Sequence, residues 1–140
     1  MKPFEFAHGV LPGSLELAYI GDTLYDLYVR SELVRDGGRV RNMHKNAVKR
    51  VCAHAQSEAL KRIEAELTEP EADVVRRARN TRQSPPKHAD PAEYHRATAL
   101  EALIGYLYVT GQTERMDKLL CMALEIDQSG DLNEVNTNEE

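Results

Sequence analysis

Residues 15–29 read LELAYIGDTLYDLYV, and this stretch decides the fold class. On a helix its apolar side chains cover most of the circumference, which is typical of a central helix that neighbouring elements bury. Pro12-Gly13-Ser14 precedes the stretch, and Ser14 is a suitable N-cap for a helix that we predict to run to about Leu33. Gly37-Gly38 then interrupts the chain. An all-α fold built around this helix is therefore expected.

Further helices are predicted from their start and stop signals and from the helical spacing of apolar residues. One runs from about Asn42 to Leu67, and the next from a capping box at Thr68 to about Arg79. After a loop at 80–89, a helix over about 91–110 is capped by Asp90 and ended by Gly111, and Thr113 caps a last helix to about Ile126. No segment alternates with the period of a strand. The chain is thus predicted to be a bundle of about five helices without strands.

Two carboxylates interrupt the apolar faces of the two helices that look central. Neither Asp22 nor Glu101 has a lysine or arginine within one helical turn. A buried carboxylate is unfavourable unless it is paired, protonated or bound to a cation, so two interpretations stay open. Each acid finds a basic partner elsewhere in the fold, or the two acids meet around a hard divalent metal, which prefers oxygen ligands. Gly21 adjoins Asp22, and Gly105 follows Glu101 by one turn, so the helices could approach closely enough to share such a site.

Charge is unevenly distributed along the chain. The net charge of −5 argues at first sight against a nucleic-acid partner. Residues 125–140, however, carry six acids and no base, and without them the net charge becomes +1. We predict that residues 128–140 form an acidic, disordered tail behind a single domain that spans residues 1–127.

Two segments of the remaining body are basic and contain no acid. The first spans residues 39–50 and the second residues 76–88. A solvated helix face or loop would explain either segment alone, but two of them in one small domain favour a surface for a polyanion.

Several other classes of protein are excluded by composition. No apolar run approaches the roughly 20 residues of a membrane span, and residues 1–10 lack the apolar region of a signal peptide. Cys52 and Cys121 lie far apart without the spacing of metal ligands, so neither a zinc site nor a disulfide scaffold is expected. A cytoplasmic location is predicted on this basis.

The motifs around the two acids resemble a known family. Residues 17–30, LAYIGDTLYDLYVR, are similar to the signature helix of the ribonuclease III family, and residues 97–108, ATALEALIGYLY, are similar to the helix that supplies its other core acid. Between them, three blocks resemble those of the short branch of the family, Mini-ribonuclease III, in the same order: His44-Lys45, Ala53-His-Ala-Gln56 and Arg76-Arg-Ala-Arg-Asn80. The resemblance covers about residues 11–125.

This resemblance implies a ribonuclease III-like catalytic domain over residues 1–127. It implies hydrolysis of phosphodiester bonds in double-stranded RNA, which leaves 5′-phosphate and 3′-hydroxyl ends. Asp22 and Glu101 would be the catalytic residues and the ligands of Mg²⁺, with Mn²⁺ as an alternative ion. Larger members carry acids at the positions of Ala18 and Thr98, so only two carboxylate ligands are expected here.

The resemblance also implies partners. They are a second copy of the chain, a 23S ribosomal RNA precursor as substrate and, as a further candidate, a large-subunit ribosomal protein, with no membrane association. In the homodimer one active site would cut each strand. The chain leaves no room for the RNA-binding domain that larger members append, so its own basic residues are expected to hold the duplex. These residues are His44, Lys45, Lys49, Arg50, Arg76, Arg77, Arg79, Arg82 and Lys87.

The main alternative is a binding module. A catalytically weak helical dimer could bind structured RNA or a ribosomal protein during ribosome assembly. Asp22 and Glu101 argue against this alternative, because a binding module gains nothing from buried acids. A nucleotide pyrophosphatase would need an ExxE pair on one helix, and Glu66 and Glu69, which have that spacing, lie on either side of the predicted break at Thr68.

Overall fold

Six α-helices make up the part of the chain that the computed structural model describes, residues 4–6 and 9–126, and no strand occurs there. The helices are α1 (Ser14–Asp36), α2 (Val40–Val51), α3 (Ala53–Ile63), α4 (Glu69–Arg79), α5 (Pro91–Val109) and α6 (Thr113–Leu124), and a 3-10 turn at Glu64–Glu66 follows α3. The predicted all-α fold is thereby confirmed. The acidic tail predicted at residues 128–140 lies outside the described residues. None of the described helices combines the length and the hydropathy that a membrane span requires.

The bundle is built around α5. Ten of its nineteen residues are buried, and α1, α3, α4 and α6 all pack against it. Asp90 caps its start as predicted, because the side-chain carboxylate accepts hydrogen bonds from the amides of Ala92 and Glu93 at 2.9 and 3.3 Å. Gly111 follows its end with a φ of 76°, a backbone conformation that favours glycine.

Only one side of α1 is buried. The buried residues of its stripe, about one turn apart, are Leu17, Gly21, Tyr25, Val29 and Leu33. The exposed large apolar side chains on this helix are Leu15, Tyr19, Leu27 and Val34. The prediction that α1 is buried over most of its circumference is therefore wrong for the single chain, because α5 and α2 cover one side and leave the other open.

The single helix predicted from about Asn42 to Leu67 is in fact two helices. The backbone leaves the helical conformation at Cys52, where φ is −68° and ψ is 160°. Counted at about 100° per residue, the buried positions of α2 and of α3 fall on opposite sides of one continuous helix. The break allows α2 to pack on α1 while α3 packs on α5.

Two predicted caps are displaced by one residue. Gly13 precedes the first turn of α1 in place of Ser14, and its amide donates to the Glu16 side chain at 3.3 Å. Gln112 precedes α6 in place of Thr113. Both helices nevertheless begin where the predicted signals lie, to within one residue.

A buried ion pair joins α4 to α6. The carboxylate of Glu71 is 3% exposed and accepts a hydrogen bond from Arg115 Nε at 2.9 Å, and this bond holds the pKa of Glu71 below its usual range. Glu71 also accepts from the amide of Thr68 at 2.9 Å, which completes the capping box predicted there. Arg115 further donates to the carbonyl oxygen of Glu66 at 2.7 Å.

Candidate active site

The helices α1 and α5 meet backbone to backbone at two glycines. A Cβ atom on Gly21 would lie 1.7 Å from the carbonyl oxygen of Glu101, and one on Gly105 would lie 1.9 Å from the carbonyl oxygen of Leu17. No side chain fits at either position, so glycine is required by the close approach itself. The contact also fixes where Asp22, the next residue along α1, stands relative to Glu101.

The side chains of Asp22 and Glu101 meet at this contact. Burial is the largest cause that raises the pKa of Glu101 to about 8, and the negative charge of Asp22 and a hydrogen bond between the two carboxyl groups contribute to the same rise. Two acids at such close range cannot both be ionised without a cost in electrostatic free energy. A cation placed between them would remove that cost, so the pair has the electrostatics of an ion-binding site.

The two acids differ in their access to solvent. Asp22 is exposed and Glu101 is partly buried, whereas the apolar pattern predicted buried faces for both. This difference arises because the buried stripe of α1 passes through Gly21 and Tyr25, and Asp22 lies at its edge. The pair is therefore open to solvent on the side of Asp22.

Neither acid has a basic partner in the described residues. No lysine, arginine or histidine of residues 4–6 and 9–126 forms an ion pair with Asp22 or Glu101, which argues against the first interpretation of the two acids. Over the same residues, no group of three histidine, cysteine or acidic side chains is arranged to hold a metal ion. Ala18 and Thr98, where larger family members carry acids, are buried. Two unpaired carboxylates fit a hard cation that keeps several of its own waters, as Mg²⁺ does.

The neighbours of Asp22 on α1 complete the surroundings of the pair. Asp26, one turn further on, pairs with Arg30 at 2.8 Å. Tyr25 is 1% exposed, and burial raises its pKa to about 12, so its hydroxyl stays protonated. A neutral aromatic residue therefore lies one turn along α1 from Gly21.

A third side chain reaches the pair from α3. Gln56 is 2% exposed, and its amide lies beside the Glu101 carboxyl, where it lowers the pKa of that group. Its Nε2 atom nevertheless has no hydrogen-bond partner within ordinary distance in the described chain. Gln56 was not among the predicted site residues, although a signal was present. It belongs to the buried face of α3, whose other members are Ser57, Ala59, Leu60 and Ile63.

Two polar contacts hold α3 against α5 near Gln56. Arg96 Nε donates to the hydroxyl of Ser57 at 2.6 Å. His54 Nδ1 contacts the carboxylate of Glu93, and this hydrogen bond raises the pKa of His54. These two contacts lie on either side of Gln56 along α3, and they therefore set its position relative to Glu101.

The predicted RNA-binding residues of the first basic segment lie on α2. All of them are exposed: His44, Lys45, Lys49 and Arg50. None of the four forms an ion pair with an acid among the described residues. Because α2 packs on α1, these unpaired side chains belong to the helix pair that carries Asp22.

The second basic segment is partly neutralised. Arg76 and Arg77 both pair with Asp73, the latter at 3.1 Å, and Arg79 pairs with Glu64 at 3.8 Å. The segment contains no acid in its sequence, but three of its arginines have acidic partners from outside it in the folded chain. The remaining predicted residues lie in the exposed loop between α4 and α5 and are Arg82 and Lys87.

Known proteins are similar to this chain in sequence. A family model described as the Ribonuclease III domain matches residues 15–112. A Mini-ribonuclease 3 of Symbiobacterium thermophilum is 47% identical over 118 residues, which cover 83% of this chain and 91% of that protein. A Mini-ribonuclease 3 of a Thermoanaerobacter species is 44% identical over 121 residues, covering 84% and 85% of the two chains.

A solved structure gives the same result at the level of the fold. The crystal structure of protein FN1578 from Fusobacterium nucleatum superposes with a TM-score of 0.74 at 31% identity. The superposition covers 81% of this chain and 92% of that one. With the fold, the two acids on α1 and α5 and the sequence similarity all in agreement, the chain belongs to the ribonuclease III family of endoribonucleases and, within it, to the short Mini-ribonuclease III branch.

Proposed function

We propose that the chain is a Mg²⁺-dependent endoribonuclease that hydrolyses double-stranded RNA to 5′-phosphate and 3′-hydroxyl ends, with Asp22 and Glu101 as its catalytic residues. The observation that supports this most directly is the contact between these two carboxyl groups at a solvent-accessible edge, with no basic partner for either among the described residues. Family membership supplies the class of reaction. Mn²⁺ is proposed as an alternative ion, because it also prefers oxygen ligands.

Asp22 and Glu101 are the residues that would hold the ion. When bound, Mg²⁺ would neutralise charge on the scissile phosphate and supply an activated water for in-line attack. Glu101 has to release its proton to become a ligand. The negative charge of Asp22 opposes that release, and a cation held between the two acids would favour it. Asp22 occupies the open side of the pair, from which a phosphate group arrives. Gly21 and Gly105 keep the two acids within reach of one ion.

The proposed grip on the duplex uses mainly unpaired cations. A-form RNA offers phosphates and a wide, shallow minor groove, so positive charge at the protein surface supplies affinity and orientation. We assign most of the contacts with the duplex to the exposed residues that have no acidic partner, which are His44, Lys45, Lys49, Arg50, Arg82 and Lys87. A smaller share falls to Arg76, Arg77 and Arg79, because a phosphate would have to replace the acids that they already contact.

A homodimer is part of the proposal. The open side of α1 exposes apolar side chains, and Tyr19 is 85% exposed in the single chain. A second copy of the chain would cover these side chains, and its two-fold symmetry would present one active site to each strand of the duplex. Sedimentation at micromolar concentration should show a dimer, and Tyr19→Arg should shift it towards the monomer without unfolding it. A monomeric wild type would contradict the cleavage of both strands by one assembly.

The proposed biological substrate is a 23S ribosomal RNA precursor, with a large-subunit ribosomal protein as a candidate partner. Both are proposed from resemblance to the family, and a cytoplasmic location is proposed with them. The catalytic domain in this proposal spans residues 1–127.

The experiment compares long double-stranded and single-stranded RNA, each with Mg²⁺ or with EDTA. The wild type should cut the duplex only with Mg²⁺, and Asp22→Asn should lose at least about 100-fold in rate, because one of the two ligands is removed. Asp26→Asn is the matched control, since Asp26 lies one turn away and pairs with Arg30. Equal cutting of single strands, or full activity of Asp22→Asn, would refute the proposal. Duplex binding without cleavage would favour the assembly module instead.

A further inference from the structure

We propose that Gln56 is a positioning residue of this active site, whose amide Nε2 donates to the Glu101 carboxylate and fixes its rotation when the two acids hold a cation. The inference rests on the proposed function and adds a residue from a third helix to it. Asp22 and Glu101 would hold the ion, and Gln56 would act on Glu101 alone.

The burial of Gln56 is the first step of the argument. Four polar side chains are buried in the described part of the chain, and three of them have partners at ordinary hydrogen-bond or ion-pair distance: Ser57, Glu71 and Thr98. Gln56 is the fourth, and its Nε2 has none. A buried donor without an acceptor is unfavourable, so the stability of the cation-free chain does not account for a glutamine at this position.

The surroundings of Gln56 identify the group on which it acts. Its amide lies beside the Glu101 carboxyl, and the other buried side chains of α3 offer it no free acceptor, since Ser57 already accepts from Arg96 and the rest are apolar. An ionised carboxylate only accepts hydrogen bonds, and an amide NH₂ group supplies two donors, so the two groups are complementary once Glu101 is ionised. Carboxylates that bind metals are commonly held by such a second hydrogen bond.

Two contacts between α3 and α5 fix the position of Gln56 beside Glu101. Arg96 holds Ser57, the residue directly after Gln56, and Glu93 holds His54, two residues before it. Gln56 therefore cannot move away from α5 without breaking polar contacts on both sides. A side chain fixed in this way can orient a carboxylate that would otherwise rotate about its terminal bond.

The test uses Gln56→Met, which keeps the length of the side chain and removes the donors. The kcat on duplex RNA should fall about 10- to 100-fold while KM stays within about twofold, because the RNA does not contact Gln56. The affinity of the RNA-free protein for Mn²⁺, measured by calorimetry, should fall over the same range. In EDTA the thermal midpoint should be equal to that of the wild type or higher, because the donor that is removed had no partner.

Ser57→Ala is the matched control, because Ser57 is a buried polar neighbour on the same helix whose hydrogen bond is already made. It should lower the thermal midpoint in EDTA and lower kcat by less than Gln56→Met does, because the donors of Gln56 remain and the contact of His54 with Glu93 still holds α3 against α5. Wild-type kcat and wild-type Mn²⁺ affinity for Gln56→Met would overturn the inference, and so would a loss of thermal midpoint as large as that of Ser57→Ala. If the wild type fails to cut duplex RNA, the proposed function fails, and the Mn²⁺ titration and the thermal midpoint still decide the role of Gln56.

Discussion

Replacing Gly21 with alanine should force the two central helices apart. The added methyl group would lie 1.7 Å from the carbonyl oxygen of Glu101 and 2.9 Å from the amide nitrogen of Gly105. Both are backbone atoms, so no side-chain rotation relieves the contact. Since Cβ atoms essentially never approach another heavy atom within 3.0 Å, α1 has to move by at least about 1.3 Å.

The expected size of the effect follows from two opposing contributions. Alanine is a better helix former than glycine by about 1 kcal/mol, which favours the variant. Overpacking in a core costs about 1–3 kcal/mol and more where backbone must move, and the displacement also weakens the packing of Leu17 and Tyr25. We expect a net loss of about 2–4 kcal/mol, measured by urea unfolding followed by circular dichroism. Activity at a temperature where the variant is folded should fall more than tenfold, because Asp22 and Glu101 no longer share one ion.

Gly13→Ala is the control for this variant. A Cβ atom there meets only the Glu16 side-chain oxygen, at 3.4 Å, and that flexible group can turn away. Stability should change by less than about 1 kcal/mol, and activity should not change. If Gly21→Ala proved as stable and as active as Gly13→Ala, the backbone contact between α1 and α5 would be refuted. Lost stability with retained activity would refute its role in placing the two acids.

Three further outcomes test the electrostatics of the chain. In EDTA, Glu101→Gln should match the wild type in stability near pH 4 and exceed it at pH 8 by up to about 5 kcal/mol. The reason is that the pKa of Glu101 rises from 4.5 to about 8 on folding, so the wild type loses stability as the pH rises between these values; urea unfolding at both pH values measures the difference. Lys49→Gln should reduce the slope of log affinity for duplex RNA against log salt concentration by about 1, and Arg77→Gln should reduce it by less, because Arg77 already pairs with an acid. Arg115→Met should lower the free energy of unfolding by about 3–5 kcal/mol, because it leaves the buried carboxylate of Glu71 without its cation.

Each of these outcomes has a result that contradicts it. A stability difference for Glu101→Gln that does not vary with pH would contradict the raised pKa of the wild-type acid. Equal salt slopes for Lys49→Gln and Arg77→Gln would remove the distinction between unpaired and paired cations. A loss below about 1 kcal/mol for Arg115→Met would place its ion pair among ordinary surface pairs.

Most helices could be predicted because their boundaries carry local signals. Thr68 and Asp90 cap the helices that they precede, and Gly37 and Gly111, with φ of 84° and 76°, follow the ends of two others. The break at Cys52 has no glycine or proline to mark it. It exists because α2 and α3 bury opposite faces against different helices, so its cause lies in the tertiary packing. The spacing of apolar residues reveals the break only when the buried faces of the two halves are compared.

The meeting of the two acids could be predicted because each stood among apolar residues, with a glycine adjacent to Asp22 and another one turn after Glu101. The exposure of Asp22 could not, because it depends on which side of α1 the other helices cover. The pairs of Asp73 with Arg76 and Arg77 follow from spacings of three and four residues on one helix and were open to prediction. The pair of Arg79 with Glu64 joins two elements and required the fold.

The helix α2 is held more weakly than the other five. Ala47 is its single buried residue. The helix lies between Gly37-Gly38, whose φ values are 84° and 116°, and the break at Cys52. The free energy needed to open a segment locally follows the apolar surface that the segment buries. Amide hydrogens of α2 should therefore exchange with deuterium through local opening, long before those of α5, which exchange only on global unfolding. In the proposed complex with RNA, the helix that carries Lys45, Lys49 and Arg50 would thus rearrange on the duplex while the helices that carry Asp22 and Glu101 stay in place.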